Sequence, residues 1–214
     1  MNLQKYIFPI PPEIIRNIEY DTREICANLF LKENILVMDN IVYGENPIIN
    51  SQGINSRGVN SPRTSSQGTM SRASCTVKYY TPIIFHTHPR TSYATPSFED
   101  IIKVLKHKEI QTSVIVTNWG TFQIVKMRHV TNEISDELKL KIKDSIDFIN
   151  RNTVNPNYLR VRGTEASVGL NKNLEWNALS PSQKKIFFEQ LEIINIALSH
   201  RAKIFLNETY IYLF

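Results

Sequence analysis

The sequence predicts a mixed α/β domain followed by a helical extension, and two patterns indicate this. Apolar runs rich in β-branched residues predict strands at 35–42 and 76–85, and a hairpin over 113–125 in which Gly120 allows the turn. From residue 132 onward, isoleucine and leucine recur every three or four positions, which predicts helices. The chain therefore places its strands in the first part and mainly helices in the last.

Helical spacing of apolar residues predicts four helices. The first begins at Pro11 and Pro12, since proline suits the first turn of a helix. The others are expected over 97–107, from 132 to about 149, and from about 181 to 206, with an irregular stretch at 151–180. The last two helices carry matching apolar stripes, so we expect them to pack together in one core. The stripes are Ile134, Leu138, Ile142, Ile146 and Ile149, and Ile186, Phe187, Leu191, Ile194 and Leu198.

Size and composition restrict the class of protein. The 214 residues (24.8 kDa) suit one domain with an extension, or two small domains. Hydrophobic residues make up 42% and charged residues 21%, which excludes global disorder. No apolar run reaches about 18 residues, and the N-terminus lacks the pattern of a signal peptide. The two cysteines exclude a disulfide scaffold but allow one bridge. From the missing membrane span, the missing signal peptide and the low number of cysteines, we expect a soluble protein of the cytoplasm or nucleus, in a reducing compartment.

Positive charge is concentrated in one part of the chain. The net charge is +5, and residues 46–98 contain no aspartate or glutamate while holding Arg57, Arg63, Arg72, Lys78 and Arg90. Such a stretch could bind nucleic acid or an acidic partner. We favour a solvated loop, because aromatic residues that would stack on bases are missing before Tyr79. Within it, residues 50–74 are rich in serine, asparagine and glycine and are predicted to be a mobile insertion.

The residues that indicate chemistry follow the predicted strand at 76–85. His86 and His88 are two positions apart, so on an extended chain their imidazoles project to the same side. Asp100 follows twelve residues after His88, near the start of a predicted helix. Two imidazoles and one carboxylate leave a fourth tetrahedral position for water, the pattern of a catalytic zinc site.

Each of these elements also has a purely structural interpretation. A His-x-His pair often occurs without metal, and Ser97 with Asp100 matches the capping box that begins a helix. Cys26 lies in an apolar run and is interpreted as a small core residue, and Cys75 as part of the mobile segment. Thiol catalysis is therefore not expected.

Taken together, the pattern resembles the JAMM (MPN+) zinc metallopeptidase family. The family motif is an upstream glutamate, then His-x-His-Pro, then Ser-x-x-Asp. The matching positions are Glu24, His86-Thr87-His88-Pro89 and Ser97-Phe98-Glu99-Asp100. The resemblance covers about residues 7–130. It departs from the family in having eight residues rather than seven between His88 and Ser97, and Ala27 where glycine is usual.

The resemblance implies a fold and a set of roles. It implies a catalytic domain over 1–130 with a central mixed β-sheet flanked by helices, and a helical extension over 131–214 that packs on it. The roles that it implies are one Zn²⁺ per chain held by His86, His88 and Asp100, with Glu24 as general base and Ser97 as donor to the oxyanion.

The resemblance also implies a substrate class. Many members hydrolyse the isopeptide bond between ubiquitin, or a related modifier, and a lysine. The expected partners are therefore ubiquitin or ubiquitin-like conjugates, together with an activating protein in some cases, rather than nucleic acid or a membrane. Two alternatives remain open at this point. The chain could act on another ubiquitin-like or sulfur-carrier conjugate, or it could use the fold as a non-catalytic scaffold.

Overall fold

A computed structural model of the chain describes residues 4–44, 75, 77–127, 134–162, 169–206 and 210–213. The predicted insertion at 50–74 lies outside these described residues, so its mobility stays a prediction. The described part contains eight strands: β1 Gln4–Ile7, β2 Ile25–Lys32, β3 Ile35–Tyr43, β4 Ile83–Thr87, β5 Thr112–Thr117, β6 Gly120–Lys126, β7 Ala202–Leu206 and β8 Tyr210–Leu213. It also contains five α-helices: α1 Pro12–Tyr20, α2 Phe98–Lys106, α3 Asp136–Thr153, α4 Pro156–Val161 and α5 Pro181–Leu198.

The eight strands form one mixed sheet in the order β7-β6-β5-β4-β2-β3-β1-β8. The pairs β4–β5 and β1–β3 are parallel, and the others are antiparallel. The sheet curls and brings its last strand, β8, close to β5 and β6. The carbonyl of Tyr212 in β8 accepts from the hydroxyl of Thr112 in β5, and its N–H donates to the side chain of Gln123 in β6. A mixed α/β fold with a central sheet and flanking helices was predicted, and this coarse prediction is confirmed.

The two faces of the sheet have separate cores. One face packs against α1, where Ile14 and Ile18 meet Phe85 of β4 and Val114 of β5. The opposite face packs against α2, α3 and α5 in a larger core, which includes Ile84, Ile115, Phe122, Phe187 and Ile194. Successive residues of a strand point to opposite faces. Residues of even number in β4 therefore lie on the side of α2.

Three predicted elements differ from the structure. The strand expected at 76–85 covers only Ile83–Thr87, since Pro82 has no N–H for a ladder; its carbonyl instead accepts from the N–H groups of Gln111 and Thr112. The last helix ends at Leu198, because Ser199 adopts a positive φ of 51°. Residues 151–180, expected to be irregular, contain α4 and a short 3₁₀ helix at Trp176–Ala178.

The part of the chain after residue 131 is therefore not only helical. The residues after α5 alternate between buried and exposed positions and form β7, which extends the sheet at β6. Asn195 of α5 holds this strand, accepting from the backbone N–H of Ile204 and donating to its carbonyl. The predicted helical extension thus also supplies both edge strands of the sheet.

The two cysteines are joined by a disulfide between Cys26 in β2 and Cys75. Both are buried, so placing Cys75 in a mobile segment was wrong. Cys26 lies in the core as predicted, but as half of a bridge. The predicted reducing compartment stays a prediction, and the cysteines no longer support it because disulfides persist in oxidising surroundings. None of the helices in the described ranges combines the length and apolar composition needed to cross a membrane.

Candidate metal centre

β4 and the residues after it place two imidazoles on one side of the sheet. His86 is the fourth residue of β4, and His88 follows the strand, with its N–H donating to the carbonyl of Val116 in β5 at 2.9 Å. Thr87 between them points to the opposite face, where its hydroxyl accepts from the N–H of Ile25 at 2.9 Å. The two histidines therefore lie at the carboxyl end of a parallel strand pair, where open α/β sheets commonly bind ligands.

The first turn of α2 supplies the carboxylate. Ser97 is the N-cap residue of this helix, and its hydroxyl accepts from the N–H of Asp100 at 3.1 Å. In return, the N–H of Ser97 donates to Oδ2 of Asp100 at 2.7 Å. This reciprocal capping box fixes where the helix begins and how the Asp100 carboxylate is turned.

The three side chains meet in a buried cluster. Only 5% of His86, 6% of His88 and 7% of Asp100 is exposed. The Nε2 atoms of the two histidines lie 3.3 Å apart, and they lie 3.2 Å (His86) and 3.3 Å (His88) from the Asp100 oxygens. One ligand atom of each residue can be chosen so that all three lie within 4.8 Å of one another. Buried His86, His88 and Asp100 are therefore close enough to bind a metal ion.

Burial and charge act in opposite directions on this cluster. Burial raises the pKa of Asp100, but His86 and then His88 outweigh it and hold that pKa well below its usual range. Burial lowers the pKa of His88, but the Asp100 carboxylate outweighs it and raises that pKa to about 9. Glu24 and the Tyr93 carbonyl add to this rise. The cluster therefore favours a positive charge beside Asp100, which a proton or a bound cation can supply.

The hydrogen bond at the other nitrogen of His88 decides which atom can ligate. Nδ1 of His88 lies 2.9 Å from the carbonyl oxygen of Tyr93. A carbonyl oxygen only accepts, so Nδ1 carries the proton and donates, and the neutral ring has its lone pair on Nε2. That is the atom that faces His86 and Asp100, and such a bond is the usual outer partner of a metal-binding histidine.

The donor set fits a small divalent metal. Nitrogen and oxygen ligands hold zinc at about 2.0–2.1 Å, so neighbouring ligand atoms of a tetrahedral site are roughly 3.3–3.4 Å apart. The two Nε2 atoms lie 3.3 Å apart, close to that value, while the two histidines approach different oxygens of Asp100, Oδ1 for His86 at 3.2 Å and Oδ2 for His88 at 3.3 Å. Two imidazoles and one carboxylate also leave one position of a tetrahedral site open. The types of donor atom therefore suit a divalent metal ion such as zinc.

Glu24 lies next to this cluster. It directly precedes β2, and the pairing of β2 with β4 places Cys26 opposite His86. Continuing this antiparallel register by two residues places Glu24 opposite His88, and opposite residues share a face of the sheet. The Glu24 carboxylate contributes to the raised pKa of His88, which agrees with this placement. Glu24 is half-buried, and its carbonyl accepts from the N–H of Gly44 at 2.8 Å.

Ser97 is half-buried at the edge of the same cluster. Its hydroxyl oxygen is used as the acceptor of the N-cap bond, which leaves its own hydrogen for a further bond. The structural interpretation of Ser97, a helix cap, therefore holds. The same hydroxyl can still act as a donor.

The structure also shows features of the site that sequence reasoning missed. Cys26, opposite His86 in the sheet, is bonded to Cys75, which ties the chain beyond residue 74 to the strand beside the cluster. The carbonyl of Tyr93 bonds to Nδ1 of His88, and the residues that follow Tyr93 bond to Asn150 and Asn173. No local pattern could have identified the bonds to Asn150 and Asn173, because they join residues 55 and 79 positions apart in the sequence.

Comparison with family models, with curated proteins and with solved structures finds no match to this chain.

Proposed function

We propose that this protein is a zinc-dependent isopeptidase of the JAMM type, which hydrolyses the bond between ubiquitin, or a ubiquitin-like modifier, and a lysine. The observation that supports it most is the buried cluster of His86, His88 and Asp100 beside Glu24. These residues match the family motif in order, and the three candidate metal ligands among them lie close together.

The residues of the chain divide the chemistry between them. Zinc held by His86, His88 and Asp100 would supply Lewis-acid chemistry, lowering the pKa of bound water and polarising the scissile carbonyl. Glu24 accepts the proton of the attacking water and later delivers it to the leaving lysine amine. The Ser97 hydroxyl donates to the oxygen on which negative charge develops, a contribution of about 3–4 kcal/mol to lowering the barrier in comparable sites.

The buried position of the cluster favours catalysis over a scaffold role. Burying two imidazoles against a carboxylate costs free energy unless their charges are compensated. A bound cation would compensate the carboxylate, and a protein that only binds partners through its surface does not require such a site. The substrate class rests on the resemblance alone, as do the conjugate and the activating partner.

The proposal is tested by incubating the protein with di-ubiquitins of every linkage, with and without a zinc chelator. Conjugates of other ubiquitin-like modifiers and of sulfur-carrier proteins belong in the same panel. We expect cleavage of an isopeptide bond that the chelator abolishes and zinc restores. Chelator-resistant cleavage would contradict the metal mechanism. Zinc binding without cleavage of any conjugate would contradict the proposed substrate class.

A further inference from the structure

The segment between the metal ligands is held by the C-terminal part of the chain. Residues 89–97 connect His88 to the N-cap of α2 and are hydrogen-bonded to Asn150, Lys172 and Asn173. The carbonyl of Arg90 accepts from the N–H of Lys172 at 2.8 Å. The hydroxyl of Thr95 donates to Oδ1 of Asn150 at 3.0 Å. The N–H of Ala94 donates to Oδ1 of Asn173 at 2.9 Å.

The last of these bonds acts on the same peptide unit that holds His88. The unit between Tyr93 and Ala94 contains the carbonyl that accepts from Nδ1 of His88 and the N–H that donates to Asn173. A peptide unit is planar, and in the trans form its C=O and N–H point in opposite directions. Fixing the N–H on one side therefore fixes the direction of the carbonyl on the other.

Asn173 is itself held in one orientation. It is 1% exposed, and its Nδ2 donates to the hydroxyl of Thr153 at 2.8 Å. That hydroxyl donates in turn to the carbonyl of Ile149, one turn earlier in α3. The Ala94 N–H can only donate, so the amide oxygen of Asn173 must face it. Each bond in the series from Ala94 through Asn173 and Thr153 to Ile149 therefore joins a donor to an acceptor.

We propose that Asn173 is a positioning residue for the metal centre. By holding the Tyr93–Ala94 peptide unit, it keeps Nδ1–H of His88 bonded and directs Nε2 toward His86 and Asp100. Asn173 is not one of the candidate ligands, and it acts through the peptide unit. The inference rests on the metal site of the proposed function and extends it by giving the C-terminal part of the chain a role in metal binding.

The expected size of the effect follows from similar sites. Partners that orient a metal-binding histidine typically change metal affinity by about 10- to 100-fold when they are removed. Asn173 is one bond further from the metal than such a partner. We therefore expect Asn173→Ala to weaken zinc affinity by an amount near the lower end of this range, about 10-fold.

The test measures zinc affinity of the full chain by competition with a chromophoric chelator, and the absorption spectrum of the Co²⁺ form. Asn173→Ala should weaken zinc binding about 10-fold and alter the Co²⁺ bands, which report ligand geometry. Asn152→Ala is the matched control, because among the described residues the Asn152 side chain bonds to the Phe148 carbonyl of its own helix. It should leave both readouts at the level of the parent protein.

A general loss of stability is excluded by a second control. Leu198→Ala removes a fully buried side chain from the core of α5 and should lower the melting temperature without changing zinc affinity. Equal zinc affinity in Asn173→Ala and the parent would overturn the inference. So would an equal weakening in Leu198→Ala.

A third variant covers failure of Asn173→Ala to fold. Thr153→Val keeps the shape of the side chain but removes the hydroxyl that orients Asn173, and it should also weaken zinc binding. Unchanged affinity in that variant would overturn the inference. Because these measurements use no substrate, parent protein that binds zinc but cleaves no conjugate would contradict the proposed function and leave this inference standing.

Discussion

His88 is the residue on which most interactions of the site depend. Its backbone N–H continues the pairing with β5, its Nδ1 donates to Tyr93, and its Nε2 faces Asp100. Each of these contacts fixes a different degree of freedom: the main chain, the tautomer and the direction of the ring. A ligand held in this way loses little further entropy when a metal binds.

We expect His88→Ala to abolish both zinc binding and the proposed isopeptidase activity, because only two ligands would remain. Zinc content measured by elemental analysis and cleavage of di-ubiquitin would show this. His200→Ala is the control, since His200 is exposed and follows α5. Full zinc occupancy in His88→Ala would mean that the ligands are wrongly assigned.

We expect Glu24→Gln to keep zinc and the fold but lose at least about 100-fold in rate, because glutamine cannot accept the proton of the attacking water. Zinc content, melting temperature and kcat are the measurements. Glu19→Gln changes an exposed glutamate of α1 in the same way and should keep the parent rate. An active Glu24→Gln variant would place the general base elsewhere.

At the scale of elements, the beginning of α2 combines the capping of a helix with the chemical role that we propose for Ser97 and Asp100. The capping box stabilises the helix and sets the direction of the Asp100 carboxylate. The start of α5 uses the same motif, with Ser180 and Gln183, on a helix that does not reach the cluster. The chain therefore contains its own control for a mutation of Ser97.

Ser97→Ala and Ser180→Ala should each lower the free energy of unfolding by about 1 kcal/mol, because each removes the oxygen that caps a helix. Only Ser97→Ala should also lower kcat, by about 100-fold or more, through loss of a donor to the oxyanion. Urea unfolding and steady-state kinetics separate the two effects. A Ser97→Ala variant with normal kcat would show that Ser97 serves only as a cap.

The elements that could be predicted from the sequence are those fixed by local patterns. The hairpin of β5 and β6, helix α2 and the meeting of His86, His88 and Asp100 all depend on residues close together in the chain. β7 could not be predicted, because its partner β6 lies far away in the sequence and no glycine or proline marks the end of α5. The hydrogen bond from the Ala94 N–H to Asn173 could not be predicted either, because the two residues are 79 positions apart in the sequence.

At the scale of the molecule, the disulfide closes a long loop of chain. Cys26 and Cys75 are 49 residues apart, and the bridge joins β2 to the residues that lead into β4. A cross-link of this kind restricts the unfolded chain, and closing a loop of such length typically stabilises a protein by about 2–4 kcal/mol.

We expect reduction of the protein to lower its free energy of unfolding by about 2–4 kcal/mol. Urea unfolding with and without a reductant measures this, and thiol titration under denaturing conditions confirms the redox state. The double variant Cys26→Ser with Cys75→Ser should match the reduced parent and ignore the reductant. Two free thiols in protein purified without reductant would contradict the bridge.

The packing of α5 joins the end of the chain to the rest of the molecule. Phe187 and Ile194 lie in the same core as β6 and α3, and Leu191 packs against that core from the same side of the helix. Phe188 and Ile196 lie on the other side and are 53% and 63% exposed. The helix therefore offers one inward and one outward surface for the same substitution.

Leu191→Asp should lower the free energy of unfolding of the whole chain by about 2–3 kcal/mol, because it brings a carboxylate without a partner into the core. Ile196→Asp is the matched control and should leave the melting temperature nearly unchanged, since its carboxylate stays in water. Elution volume in gel filtration distinguishes the remaining outcomes. A Leu191→Asp variant that melts normally but elutes as a smaller species would show that the inward side of α5 contacts another copy of the chain. A variant with the melting temperature and the elution volume of the parent would show that this side is not held in the core.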